Sequence, residues 1–203
     1  MNPFRHQFIQ QCQASAGQTP APHSQRKLRY LDVGCGGGIF AESAARLRST
    51  ANVTAIDPTP EVIAVAEKHR RTDPLLLEPG RLTYLNKSIE DLPIPASAEQ
   101  QVDVLSLFEV IEHIQRPSAF LEKCLPHVKP GGWIVMSTIA RTWTSWLTTK
   151  VVAEDVMRIV PRGTHDWNQY INEAELRTWF AGQPGWGEAR SMGIIKMWKY
   201  TSR

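Results

Sequence analysis

The run Leu31-Asp32-Val33-Gly34-Cys35-Gly36-Gly37-Gly38, followed at a distance by Asp57, constrains this chain more than any other feature. Leu-Asp-Val is short, apolar and β-prone, and the helical segment Ile39 to Leu47 follows at once, so the glycines occupy a strand-to-helix turn. Without Cβ atoms they let the backbone take positive φ and approach a ligand closely. Asn52 to Ile56 reads as a second strand with Asp57 at its carboxyl end, where a carboxylate can accept two hydrogen bonds from a ribose diol. That arrangement is the mononucleotide half of a doubly wound sheet.

The spacing separates the nucleotide-binding turns from one another. A dinucleotide fingerprint needs Gly-x-Gly-x-x-Gly, and its third glycine position is Ile39 here. The glycines fall instead as Gly34-x-Gly36-x-Gly38 behind Asp32, and no Lys-Ser/Thr ending follows, which excludes a P-loop. The pattern resembles the first motif of class I S-adenosylmethionine-dependent methyltransferases. In them the turn passes under the methionine part and the acidic residue after strand two holds the ribose.

The rest of the chain fits such a domain. Its 203 residues, 42% of them hydrophobic, are enough to bury a core. A net charge of +3 and a pI near 8.8 are mild, and the basic clusters Arg26-Lys27-Arg29 and Lys68-His69-Arg70-Arg71 form no continuous stripe, so nucleic acid is not an expected partner. Cys12, Cys35 and Cys124 lack pair spacing and suggest neither a disulfide framework nor a zinc knuckle. No apolar run approaches the roughly 18 residues that cross a bilayer, and the N-terminus lacks a secretory h-region, so any membrane contact is expected to be peripheral.

Strands and helices alternate as a parallel sheet with crossover helices requires. Thr59 and Pro60 open a helix to Arg71. Strands are expected over Leu82 to Asn86, Val102 to Phe108 and Trp133 to Thr138, with a helix over Ser118 to Val128 and a sharp turn at Lys129-Pro130-Gly131-Gly132. Residues 13–25, rich in Ala, Gln, Ser and Pro, read as a flexible connection, so 1–25 stands as an N-terminal segment before a domain spanning 26–203. The expected fold class is α/β: a doubly wound, mostly parallel sheet with helices on both faces.

Phe108-Glu109-Val110-Ile111-Glu112-His113 closes strand four. Positions 109, 112 and 113 are i, i+3 and i+4, so on a helical turn two carboxylates and an imidazole share one face. At the carboxyl end of the sheet that face would lie beside the cofactor. Two oxygens and one imidazole suit Mg²⁺, Mn²⁺ or Zn²⁺. The alternative is an acidic residue and a histidine after strand four with no metal.

Asn2-Pro3-Phe4-Arg5, the glycine run, Glu109-Val110-Ile111-Glu112-His113, Lys129-Pro130-Gly131-Gly132, and Ser145-Trp146-Leu147 through Val160-Pro161-Arg162-Gly163-Thr164-His165-Asp166-Trp167 occur in order. Together they resemble the ubiquinone-biosynthesis O-methyltransferase family over roughly residues 2–180, the last motif being the specific one. The resemblance implies methylation of catechol-type hydroxyls on polyprenylated benzene rings, with S-adenosylmethionine as donor. By the same match Arg5, Gly34, Gly36, Asp57 and Phe108 would contact the cofactor, and Glu109, Glu112 and His113 would bind a divalent ion, most naturally Mg²⁺. His165 is then the candidate general base or substrate orienter, or else a loop histidine hydrogen-bonded to Asp166.

Trp143 to Val160, inside an apolar helix-loop insertion over 141–170, carries a broad apolar helical face. It would suit an active-site cover, an interfacial helix in peripheral contact with a membrane, or ordinary packing against the sheet. The resemblance also implies other ubiquinone-biosynthesis proteins as partners, and a site on the matrix face of the mitochondrial inner membrane in a eukaryote or a cytoplasmic or membrane-associated one in a bacterium. Two departures from the family pattern stand out: an aromatic-rich helix is expected before Met1, and the usual final antiparallel strand is not recognisable in Ile195 to Arg203, so the sheet is expected to lack its last strand. A non-catalytic methyltransferase-like scaffold subunit, and a methyltransferase of another small phenol or acid, are the alternative functions.

Overall fold

The computed structural model describes residues 2–15, 27–137 and 173–186. Helix α1 (Asn2–Ser15) precedes β1 (Leu28–Val33), α2 (Ile39–Ala45), β2 (Thr50–Ile56), α3 (Pro60–Arg70), β3 (Leu82–Leu85), β4 (Val102–Phe108), α4 (Pro117–Cys124), β5 (Val128–Ser137) and α5 (Glu173–Ala181). The five strands form one sheet in the order β3-β2-β1-β4-β5, every pair parallel. Parallel neighbours cannot be joined by a hairpin, and helical crossovers such as α2, α3 and α4 connect them. This is the doubly wound α/β architecture expected from the sequence. The expectation of a missing last strand rests on a segment outside the described residues.

Side-chain alternation divides the core between the two faces of the sheet. Tyr30, Val53, Ala55, Tyr84, Val104 and Val135 face α2 and α3, where Phe40, Ala41, Ala44, Ala45 and Ala66 pack, and Ile9 of α1 joins them. Leu31, Val33, Ile56, Leu105 and Leu107 point the other way, toward Phe120, Leu121 and Cys124 of α4, with Leu176 and Trp179 of α5 packed alongside. Both faces are thus covered, which is why the strands read as near-continuous apolar runs.

Two local expectations are corrected. Lys129 to Gly132 form no sharp turn before β5: they belong to the strand as an irregularity in its pairing, since Val102 pairs with Val128 and Val104 with Trp133, leaving them opposite Asp103 alone. Asp103 holds the spot, taking an ion pair from Lys129 Nζ and a 2.9 Å hydrogen bond from the Arg29 N–H. The helix expected to Val128 ends at Cys124 and tightens into a 3-10 turn, Leu125–His127. Pro126 supplies no N–H for a helix to continue through it.

Candidate active site

At the boundary between β1 and β4 the connections leave toward opposite faces, and open α/β sheets bind their ligands in the crevice beyond the carboxyl ends of strands at such a switch point. The glycine turn lies there. Gly34 and Cys35 donate their N–H groups to the Ile56 carbonyl at 2.9 and 3.0 Å, tying the turn to β2. Gly34, Gly36 and Gly38 all have positive φ, and Gly38 caps α2 from the left-handed region. A Cβ on Gly34 would stand 2.6 Å from Val110 Cγ2, so this glycine admits the chain that leaves β4. A Cβ on Gly36 would meet nothing within 4 Å: the turn turns bare backbone toward open space.

Asp57 at the end of β2 fastens this surface. Its Oδ2 accepts from the Gly36 N–H at 3.0 Å and its Oδ1 from the Thr59 N–H at 2.9 Å. Asn86 Nδ2 donates to the Asp57 carbonyl at 3.0 Å, joining the end of β3 to the same corner. A carboxylate has about four lone-pair sites, so it retains capacity for a diol.

Beneath the turn, Asp32 is 2% exposed and accepts a 2.6 Å hydrogen bond from Ser106 Oγ of β4. Burial pushes its carboxyl up to about 7, with the Ser106 bond and the Arg5 charge opposing the rise and Asp57 adding to it. The Cys35 thiol is also pushed up, by burial first and then by Asp32 and Asp57, so it is no thiolate nucleophile.

The wall across the crevice comes from α1 and the end of β4. Arg5 Cζ lies 4.2 Å from the Phe108 ring centroid, a cation–π contact, and Arg5 Nη2 is 3.4 Å from Glu109 Oε1. Phe108 meets Phe40 edge-on at 4.5 Å. Gly34, Gly36 and Asp57 thus stand at the ends of β1 and β2, and Arg5 with Phe108 at the neighbouring end of β4, where Val110 packs against Gly34.

Glu109, Glu112 and His113 do not share the helical face expected of them. Glu109 has φ 60, its N–H donates to the Ser137 carbonyl at 3.3 Å, and its Oε1 takes a 3.3 Å bond from Ser137 Oγ. Only Ile111–His113 turn, as a 3-10 helix, with Glu112 buried and Glu109 and His113 exposed. The cause is packing: Ile111 is fully buried and Val110 packs against the same core, so the chain stays pinned to the sheet instead of winding at 109. Among the described residues no three His, Cys, Asp or Glu side chains are grouped to hold a metal ion. As placed, the three residues do not fit the expected ion.

His165 and the apolar stretch 143–160 lie outside the described residues. Sequence reading did not assign a role to Asp32, Ser106, Phe40 or His6. Only Asp32 carried a signal, a carboxylate inside an apolar strand; the others become visible through contacts between distant segments.

The parallel order, the glycine turn at the switch point and the carboxylate closing β2 define a methyltransferase-type α/β domain. The chain belongs to the methyltransferase-domain family, whose profile matches residues 4–183. Within it, the chain groups with the ubiquinone biosynthesis O-methyltransferases, as its motifs implied. It is 39% identical over 183 residues to the mitochondrial one of Candida albicans, covering 86% of this chain and 54% of that protein. It is 44% identical over 155 residues to that of Schizosaccharomyces pombe (76% and 54%) and 39% identical over 182 residues to that of Xanthomonas axonopodis pv. citri (88% and 67%). The chain thus spans about half the length of the fungal relatives it matches. Among solved structures, the plantazolicin methyltransferase BpumL in complex with SAH superposes with TM-score 0.63 at 18% identity, covering 87% of this chain and 60% of that one. Magnesium protoporphyrin IX methyltransferase from Synechocystis, with bound SAH, gives 0.61 at 15% identity (89% and 71%). At these identities the likeness concerns the fold alone.

Proposed function

We propose that this chain is an S-adenosylmethionine-dependent O-methyltransferase acting on a catechol-type hydroxyl of a polyprenylated benzene ring in ubiquinone biosynthesis. The observation that carries the reading is the corner where the Gly36 N–H meets Asp57 beside open space, with Arg5 and Phe108 across the crevice. Asp57 would accept the ribose hydroxyls, Gly34 and Gly36 would let the cofactor lie against the backbone, and Arg5 would meet its carboxylate by charge-assisted hydrogen bonding. When bound there, S-adenosylmethionine would supply an electrophilic sulfonium methyl. The chain's task is to hold a substrate oxygen, stripped of its proton, in line at near-attack distance. His165 is the proposed base or orienter.

The divalent ion is no part of this scheme, because Glu109, Glu112 and His113 do not converge. Assays in chelator and in Mg²⁺ test that omission: equal activity in both is expected, and a strict need for Mg²⁺ would overturn it. The names of the fungal relatives support a mitochondrial setting. Among the described residues no helix is long and apolar enough to cross a membrane. Peripheral attachment through 143–160 and association with other proteins of the pathway complete the proposal.

The test is methyl transfer from S-adenosylmethionine to a short-tailed dihydroxybenzoate, followed by mass spectrometry, with cofactor affinity from calorimetry. A product heavier by one methylene unit is expected. A folded sample that binds no cofactor would favour the scaffold alternative. Asp57→Ala should weaken cofactor binding by about 1.5 to 3 kcal/mol, the cost of a lost hydrogen bond to a charged group; unchanged affinity would remove Asp57 from the site.

A further inference from the structure

The glycine turn and Asp57 leave one side of the crevice to α1, a helix that reaches it from far away in sequence. Contacts along the helix seat it. Asn2 Nδ2 donates to the Ile39 carbonyl at 2.9 Å, His6 Nε2 lies 2.8 Å from Ser43 Oγ, and Ile9 is buried. The His6 ring also stacks on Phe40 at 5.2 Å, Phe40 meets Phe108 edge-on, and Phe108 carries the Arg5 guanidinium on its face. The contacts close a circuit from His6 through α2 and the end of β4 back to Arg5, the neighbour of His6.

We propose that His6 is a positioning residue, which seats α1 on Phe40 and Ser43 and thereby holds Arg5 over Phe108 for cofactor binding. The proposal rests on the reading of Arg5 as a cofactor contact. His6 can do this only when neutral. Its Nδ1 is buried and has no hydrogen-bond partner among the described residues, so a second ring N–H would be stranded there. Burial first, and the Arg5 charge second, hold its pKa below the ordinary 6.5. From α2 the ring meets Ser43 and Phe40, both uncharged; Phe40 in turn meets Phe108 of β4, and Glu109 is engaged by Arg5. A histidine with a lowered folded pKa contributes stability above its unfolded pKa and loses it as pH falls through the folded value, so α1 should loosen under mild acid.

The experiment compares wild type, His6→Ala and His6→Gln at about pH 7.5 and about pH 5.5, reading S-adenosylhomocysteine affinity by calorimetry and amide exchange of residues 2–15, corrected for intrinsic rates. At the higher pH, His6→Ala should bind about tenfold more weakly and exchange faster in α1, whereas His6→Gln, whose amide can reach Ser43 Oγ, should recover most of both. Acidification should weaken wild type several-fold more than His6→Gln; the Asp32 titration is common to both and cancels. Wild-type affinity in His6→Ala, or identical pH profiles for wild type and His6→Gln, would overturn the proposal. If wild type binds no cofactor at the higher pH, the cofactor reading fails, and the seating of α1 is still decided by exchange: faster exchange in His6→Ala upholds it and unchanged exchange overturns it.

Discussion

Gly36 and Gly38, two residues apart in one turn, are glycine for different reasons. At Gly38 a Cβ would stand 2.0 Å from Tyr84 Oη, and φ is 83, so Gly38→Ala meets a clash and a strained backbone together. A loss of about 2 to 4 kcal/mol is expected in urea unfolding, from overpacking plus the left-handed penalty. Gly36→Ala has φ 51 but open space around it. It should lose only about 1 kcal/mol of stability, yet lower cofactor affinity markedly, because its methyl projects into the proposed pocket. Asp32 makes a separate prediction. Its folded pKa of about 7 lies above the ordinary 3.8, so its contribution to stability is full below the unfolded value and lost as pH rises through the folded one. The stability of wild type relative to Asp32→Asn should therefore fall between about pH 4 and pH 7, measured by denaturation across that range.

Among the elements, α1 shows how much a segment's role depends on where it docks. Residues 1–25 read in sequence as a segment with a flexible connection, yet Asn2–Ser15 is a helix that buries Ile9 with the core of α2 and the sheet. Ile9→Ala should cost about 2 to 4 kcal/mol in denaturant unfolding, as buried large-to-small changes do. It should weaken cofactor binding as well, because the same helix carries Arg5. The turn after β4 illustrates the opposite case. Spacing alone placed Glu109, Glu112 and His113 on one helical face, but burial of Ile111 and the Glu109–Ser137 backbone bond hold the chain in another conformation. Periodicity reports what a helix would present and is silent on whether competing contacts allow the helix.

Across the whole molecule, stability and the proposed site divide between the centre of the sheet and its carboxyl edge. Leu105, at 0% exposure on β4, an interior strand of the sheet, packs into the core beneath α4. Leu105→Ala is expected to cost about 2 to 5 kcal/mol, whereas Ile94→Ala, at a residue 69% exposed, should stay within about 0.5 kcal/mol. Thermal or urea unfolding of the two variants checks the contrast. Cofactor affinity of folded Leu105→Ala should remain near wild type, since the crevice is built from the strand ends and their loops.

The sequence by itself determined the parallel α/β class, the glycine turn and the carboxylate that closes β2. Those features depend on local chemistry: apolar β-prone runs, residues free to take positive φ, and alternation of strands with helices. Its motifs also determined the family, because the ordered set from Asn2 to Trp167 is carried by the residues themselves. Only the tertiary structure decided that Asp57 grips the Gly36 N–H, that Ser106 meets a buried Asp32, and that Arg5 lies on Phe108 against Glu109. Each of those contacts joins segments far apart in the chain. Their geometry is set by how helices pack on a twisted sheet, and neither spacing nor propensity along the chain encodes it.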